Sequence, residues 1–140
     1  MRPTNDKVFL DTNIIVYAHS DVEQDKQKTS QTIIAKMLTV ISTQVLQEAA
    51  NTLVRKFKQS WPDISKVVTE AASNNMVHTN TANTVFYACD MADKYHFSFY
   101  DSLIIAAALE CDCNILYSED MQDGQVIENR MKIVNPFKES

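Results

Sequence analysis

Four acidic residues stand in segments that could bring them to one place: Asp11 in "KVFLDTNIIVYA", Glu48 in "STQVLQEAANTLVRK", Asp101 in "FSFYDSLIIAAALE" and Asp120 in "NILYSEDMQDG". Asp11 raises the sharpest question. It follows the apolar Val8-Phe9-Leu10 and precedes Ile14-Ile15-Val16, a context in which a lone carboxylate loses its hydration without compensation. Two like charges ~4 Å apart repel by about 4 kcal/mol at an effective dielectric of 20. Several in one crevice would offset much of a domain's stability of about 5–15 kcal/mol. Either some stay protonated or cations sit among them. Oxygen-only, carboxylate-rich sites suit hard ions such as Mg²⁺ or Mn²⁺, and we expect the metal alternative, with Asp11 placed as a ligand.

Each residue also has a plainer reading. Asp is a favoured helix N-cap, so Asp11 and Asp101 could each cap the helix they begin. Glu48 alone reads as a solvated helix residue paired with Arg55 or Lys56. Asp120 alone reads as a turn residue in "EDMQDG". Their joint placement is what separates the two readings, and it depends on the elements that carry them.

The chain alternates short apolar strands with helices. Residues 7–10 read as a buried strand feeding a helix over 12–18. Ile33, Ile34, Met37 and Leu38 recur at helical spacing across 26–38. Val40-Ile41 reads as a second strand. Ser42-Thr43 then caps a helix over 44–58, with Val45, Ala49, Leu53 and Phe57 four residues apart. A helix opens at Trp61-Pro62, where proline's missing N–H is harmless, and runs to about residue 72. Residues 76–79 predict a third strand. The helix over 81–95 has Val85, Ala88, Cys89 and Ala92 on one face. Residues 103–109 are apolar nearly all round, which predicts a central buried helix. Residues 114–117 and 132–134 supply two more strands. The pattern predicts an α/β fold, a three-layer α/β/α sandwich on a short parallel sheet of about five strands. In such a sheet the crevice lies outside the carboxyl ends of the strands, and all four acids follow strands or open helices there. Asp123, three residues past Asp120, is a further candidate for the same edge.

Composition narrows the chemistry. The 140 residues are 45% hydrophobic, which fits one domain with a sizeable core. No stretch approaches the roughly 20 apolar residues that span a bilayer, and "MRPTNDKVFLD" lacks the apolar core of a signal peptide, so a cytoplasmic protein is expected. Three cysteines without a C-x-x-C read as reduced thiols. The single glycine, Gly124, rules out the glycine-rich phosphate-binding turns of common nucleotide folds. A net charge of −5 argues against a passive nucleic-acid-binding module, though not against an enzyme whose positive charge comes from metal ions.

The ordered set Asp11, Glu48, Asp101 and Asp120, within "VFLDTNIIVYA", "ISTQVLQEAANTLVRK", "FSFYDSLIIAAALECDCNILYSEDMQDG" and "KIVNPF", resembles the PIN-domain nucleases over nearly the whole chain. The resemblance implies a PIN-like α/β/α fold whose acidic residues bind Mg²⁺ or Mn²⁺ and cut phosphodiester bonds, usually in RNA. Asp11, Glu48 and Asp101 match the family's three most dependable acidic positions. Asp120 matches the more variable fourth, which Asp123 could assist or replace. Asn13 matches the small polar residue that orients the first aspartate or the substrate phosphate, and Ser118 the hydroxyl position before the fourth acid. Small single-domain members resemble the toxin half of VapBC toxin–antitoxin pairs, which implies RNA as substrate, an antitoxin partner and a homodimer. The family's RNA-cutting toxins usually offer a basic path. Here its candidates are Arg55, Lys56 and Lys58, with Lys26 and Lys28 as weaker ones.

Two rival readings compete with this one. Phosphatases of the haloacid-dehalogenase type also begin with an aspartate after strand one, but need D-x-D, and Asn13 stands where the second acid should be. A catalytically inactive PIN-like scaffold binding RNA or protein would not need the intact acidic set. Other residues are read as structural: His19, His78 and His96 as surface or loop histidines, Cys111 and Cys113 as small buried hydrophobes, Asp90 and Asp93 as solvated. The aromatics of "FYACDMADKYHFSFY" are read as core or dimer interface.

Overall fold

The computed structural model describes residues 6–138; residues 1–5, the start of the segment read above as lacking a signal peptide, and residues 139–140 lie outside them. The elements are β1 (Lys7–Leu10), α1 (Thr12–Ala18), α2 (Gln24–Lys36), β2 (Leu38–Ser42), α3 (Thr43–Arg55), α4 (Trp61–Asn74), β3 (Met76–His78), α5 (Ala82–Tyr95), α6 (Phe99–Glu110), β4 (Ile115–Tyr117), β5 (Val126–Ile127) and β6 (Met131–Val134).

The six strands form one sheet in the order β3-β2-β1-β4-β6-β5. The five strands anticipated from sequence are the five that pair in parallel. β5 adds a two-residue antiparallel edge beside β6. From β1 the chain steps outward to β2 and β3, then returns to place β4 on the other side of β1. The strand order therefore switches between β1 and β4, and a crevice opens at their carboxyl ends. α1 packs on α2 and α3, and α3 on α4; α5 packs on α6, which also meets β2. Sheet and helices make an α/β fold of the expected kind.

The core explains why the strands run apolar without alternation. Val8, Phe9 and Leu10 of β1 are all fully buried, as are Ile41 of β2 and Leu116 of β4. Strands covered on both faces have no solvent side to carry polar residues. α6 is buried from Ser102 to Leu109, which fits its uniformly apolar sequence.

Several boundaries differ from the sequence expectation. α2 stops at Lys36, and Leu38, expected as its last apolar residue, instead opens β2. α3 ends at Arg55, leaving Phe57 to pack half-buried past the helix. On α5 the buried stripe is Thr84, Ala88 and Met91, whereas Val85 and Cys89 are exposed. Thr84 turns inward because its hydroxyl completes a capping box with Thr81 and donates to Glu110. Asp90 and Asp93 are exposed, as read.

Candidate active site

Asp11 ends β1 at the switch point. Its backbone N–H donates to the Tyr117 carbonyl at the end of β4, 3.0 Å away, so the two strand ends are joined there. Asp11 is buried and caps α1: one carboxylate oxygen accepts from the Thr12 N–H at 2.7 Å and the other from the Ser118 hydroxyl at 2.8 Å. Capping and site placement are thus combined in one residue. Burial pushes the Asp11 carboxyl up to about 6, against the two hydrogen bonds and with the help of negative charge on Asp101 and Glu48.

Glu48 sits in the second turn of α3. One of its oxygens accepts from the Thr12 hydroxyl at 2.7 Å and the other from the Gln44 amide at 3.3 Å. The same Gln44 amide donates to the Tyr100 carbonyl at 3.0 Å, which ties α3 to the first turn of α6. Among the described residues Glu48 forms no salt bridge with Arg55 or Lys56, so the solvated-pair reading does not hold. Asp101 lies in the first turn of α6, where a carboxylate favourably meets the helix dipole. It is not the cap. Ser98 takes that role, its hydroxyl accepting from the Asp101 N–H. Burial raises the Asp101 carboxyl above its ordinary value, with Asp120 and Glu48 adding to the rise. Asp120 is exposed and accepts from the Asn13 amide at 2.7 Å.

Asp11, Glu48, Asp101 and Asp120 all line one cleft of about 300 Å³, together with Thr12, Asn13, Asn51 and Thr52. Asp123 does not line it. Its carboxylate instead braces the loop, accepting from the Asn135 N–H at 2.8 Å and facing Lys138, contacts that hold it below its ordinary range. Asn13 addresses Asp120, while Ser118 addresses Asp11. Arg55, Lys56 and Lys58 are exposed around the end of α3. Arg55 falls seven residues past Glu48 on a related helix face, about 10 Å along the axis. Lys26 is committed to Glu119 and stacks near Tyr17 and Phe137.

Sequence reasoning did not single out Thr12, Gln44, Asn51 or Thr52. Asn51 and Thr52 were reachable, being three and four residues past Glu48. Gln44 was reachable in the same way, four residues before Glu48 on α3, whereas the Thr12–Glu48 and Gln44–Tyr100 bonds join segments distant in sequence and carried no local signal. Of the residues set aside, His78 ends β3 rather than lying in a loop and pairs with Glu110. His19 and His96 follow the last turns of their helices. Cys113 is buried and Cys111 half-buried.

The donor set fits a hard divalent cation. Every cleft carboxylate offers oxygen, and the ionised forms of Asp11 and Asp101 are disfavoured by burial and by neighbouring carboxylates of the cleft, a cost that a bound cation removes. Among the described residues no three acidic, histidine or cysteine side chains already close into a metal-sized cage; Glu48 and Asp120 lean on Thr12, Gln44 and Asn13 instead.

The family model described as the PIN domain matches residues 8–123. The fold and its acidic cleft define a PIN-type α/β domain, and the chain belongs to the PIN-domain family. No curated protein sequence matches it. Among solved structures it is similar to a toxin–antitoxin complex from Klebsiella pneumoniae at 16% identity, covering 94% of this chain and 98% of that one, with a TM-score of 0.68. It is also similar to VapBC2 from Rickettsia felis bound to a fragment of promoter DNA, at 18% identity over 91% and 96% of the two chains, TM-score 0.66. A third is Mycobacterium tuberculosis VapC20, a toxin cleaving the sarcin–ricin loop, at 18% identity over 81% and 89%, TM-score 0.63. These likenesses are of fold.

Proposed function

We propose that this chain is a Mg²⁺- or Mn²⁺-dependent endoribonuclease that hydrolyses RNA phosphodiester bonds, and that it is the toxin of a toxin–antitoxin pair. The observation that carries the reading is the convergence of Asp11, Glu48, Asp101 and Asp120, from four separate segments, on one cleft at the sheet's switch point. Membership of the PIN family supports the nuclease assignment. Solved relatives that are toxins or toxin–antitoxin complexes support the partner.

In this reading the four carboxylates hold the cation. A bound divalent ion supplies a Lewis acid for the scissile phosphate and lowers the pKa of a water so that it can attack. Asp11 would be one of the ligands, kept in place by the Thr12 N–H and the Ser118 hydroxyl. Thr12 and Gln44 aim Glu48, and Asn13 aims Asp120. Asn51 and Thr52 offer polar groups to the RNA beside the acids, and Arg55 meets a neighbouring phosphate. The products carry 5′-phosphate and 3′-hydroxyl ends. The α5–α6 pair leaves Val85, Phe86, Phe99 and Tyr100 exposed, apolar surface consistent with self-association into a homodimer.

The test is direct. Purified protein with Mn²⁺ or Mg²⁺ should cut RNA, and Asp11→Asn should lose that activity. Equal cleavage by the variant would remove Asp11, and with it the proposed chemistry, from the site.

A further inference from the structure

The loop after β4 is held residue by residue. Ser118 donates to Asp11, Asp120 accepts from Asn13, and between them Glu119 reaches further along α1 to Tyr17. There the Tyr17 hydroxyl donates to one Glu119 oxygen at 2.6 Å and the Lys26 ammonium bonds the other. The ammonium lies 4.9 Å from the centre of the Tyr17 ring and 5.5 Å from that of Phe137, and the two rings meet edge to face at 5.2 Å. Asn13 and Tyr17 are four residues apart on α1, hence on one face. One helix face therefore grips two consecutive carboxylates of the loop, and α2 braces the second through Lys26.

We propose that the Tyr17–Lys26–Glu119 cluster is a clamp that positions Asp120 toward the divalent ion of the acidic cleft; this rests on the metal-dependent reading above. Glu119 and Asp120 are consecutive residues of the bend after β4, so holding the Glu119 head on Tyr17 and Lys26 pins the peptide from which Asp120 projects. Asp120 needs such help. It is exposed and its one hydrogen-bond partner among the described residues is Asn13. Tyr17, Lys26 and Glu119 are positioning residues. The clamp also accounts for Lys26: its charge is engaged by Glu119 and is not offered to RNA.

Charge distinguishes positioning from simple electrostatics. Loss of the Lys26 cation makes the neighbourhood more negative, which by Coulomb attraction alone would tighten binding of Mn²⁺. A clamp predicts the reverse. Calorimetric titration of the full chain with Mn²⁺, without RNA, should show Lys26→Met and Glu119→Gln each weakening affinity about tenfold, the range for residues that orient metal ligands. Tyr17→Phe should weaken it in the same direction, and Lys26→Arg should restore it. Thermal unfolding without metal identifies any variant that fails to fold, and the remaining variants still read the clamp. Unchanged or tighter Mn²⁺ binding by Lys26→Met would overturn the clamp while leaving the metal site intact. No Mn²⁺ binding by the wild type would instead overturn the metal-dependent reading and the clamp together.

Discussion

Asp11 carries the heaviest physical constraint in the chain, because it is both a buried helix cap and a carboxylate facing two others. Its raised pKa gives a signed prediction for metal-free protein. A carboxyl that binds its proton more tightly when folded contributes stability that is full below the unfolded value of 3.8 and lost as pH rises through about 6. The rise corresponds to roughly 3 kcal/mol. Asp11→Asn, uncharged and nearly the same shape, removes this penalty and should unfold several degrees higher than wild type at neutral pH, with the advantage shrinking toward pH 4. Scanning calorimetry of both proteins in chelator checks it; a wild type at least as stable as the variant at neutral pH would contradict it. Much of the candidate site could be read in sequence at this scale, because one carboxylate after a strand is common but the ordered set of four at these separations is distinctive. What stayed hidden were the groups that aim them. Thr12 reaches Glu48 across 36 positions of sequence, and nothing local to either residue announces that contact.

α6 links core and site, since its first turn presents Asp101 and its remainder fills the interior. Ile105 is fully buried there, so Ile105→Ala should cost about 2–5 kcal/mol, measured by denaturant unfolding. Ser98→Ala removes the N-cap bond to Asp101 and should cost about 1 kcal/mol. It should also lower Mn²⁺ affinity, because the turn that holds Asp101 frays, whereas Ile105→Ala should act on stability first. The element sequence was readable because apolar runs and helical spacing are strong local signals. Boundaries were less so. Leu38 fits both the apolar stripe of α2 and the entry to β2, and the sheet takes it. On α5, Thr84 displaces Val85 from the buried face because its hydroxyl finds Glu110, a tertiary bond that outweighs hydrophobicity. β5 is two residues long and owes its strand form to pairing with β6, which local sequence does not encode.

Across the whole molecule, the charge of −5 must meet a polyanion if the proposed function is right. Association then depends on few cations, and Arg55 lies nearest along α3 to Glu48. Arg55→Ala should raise KM for RNA severalfold with kcat little changed, and reduce the slope of log(kcat/KM) against log salt by about 0.7 if one phosphate contact is lost. Among the described residues no helix is long and apolar enough to cross a membrane. The parallel sheet organises all of this: its order reverses between β1 and β4, Asp11 and Asp120 follow those two strands, and α3 and α6 bring their acids to the same opening. In the proposed function a divalent ion is what lets these like charges share a cleft. Crystals grown with Mn²⁺ and measured at the manganese absorption edge test it most directly. An anomalous peak bounded by Asp11 and at least two of Glu48, Asp101 and Asp120 is expected; ordered carboxylates with no manganese among them would rule out a shared ion.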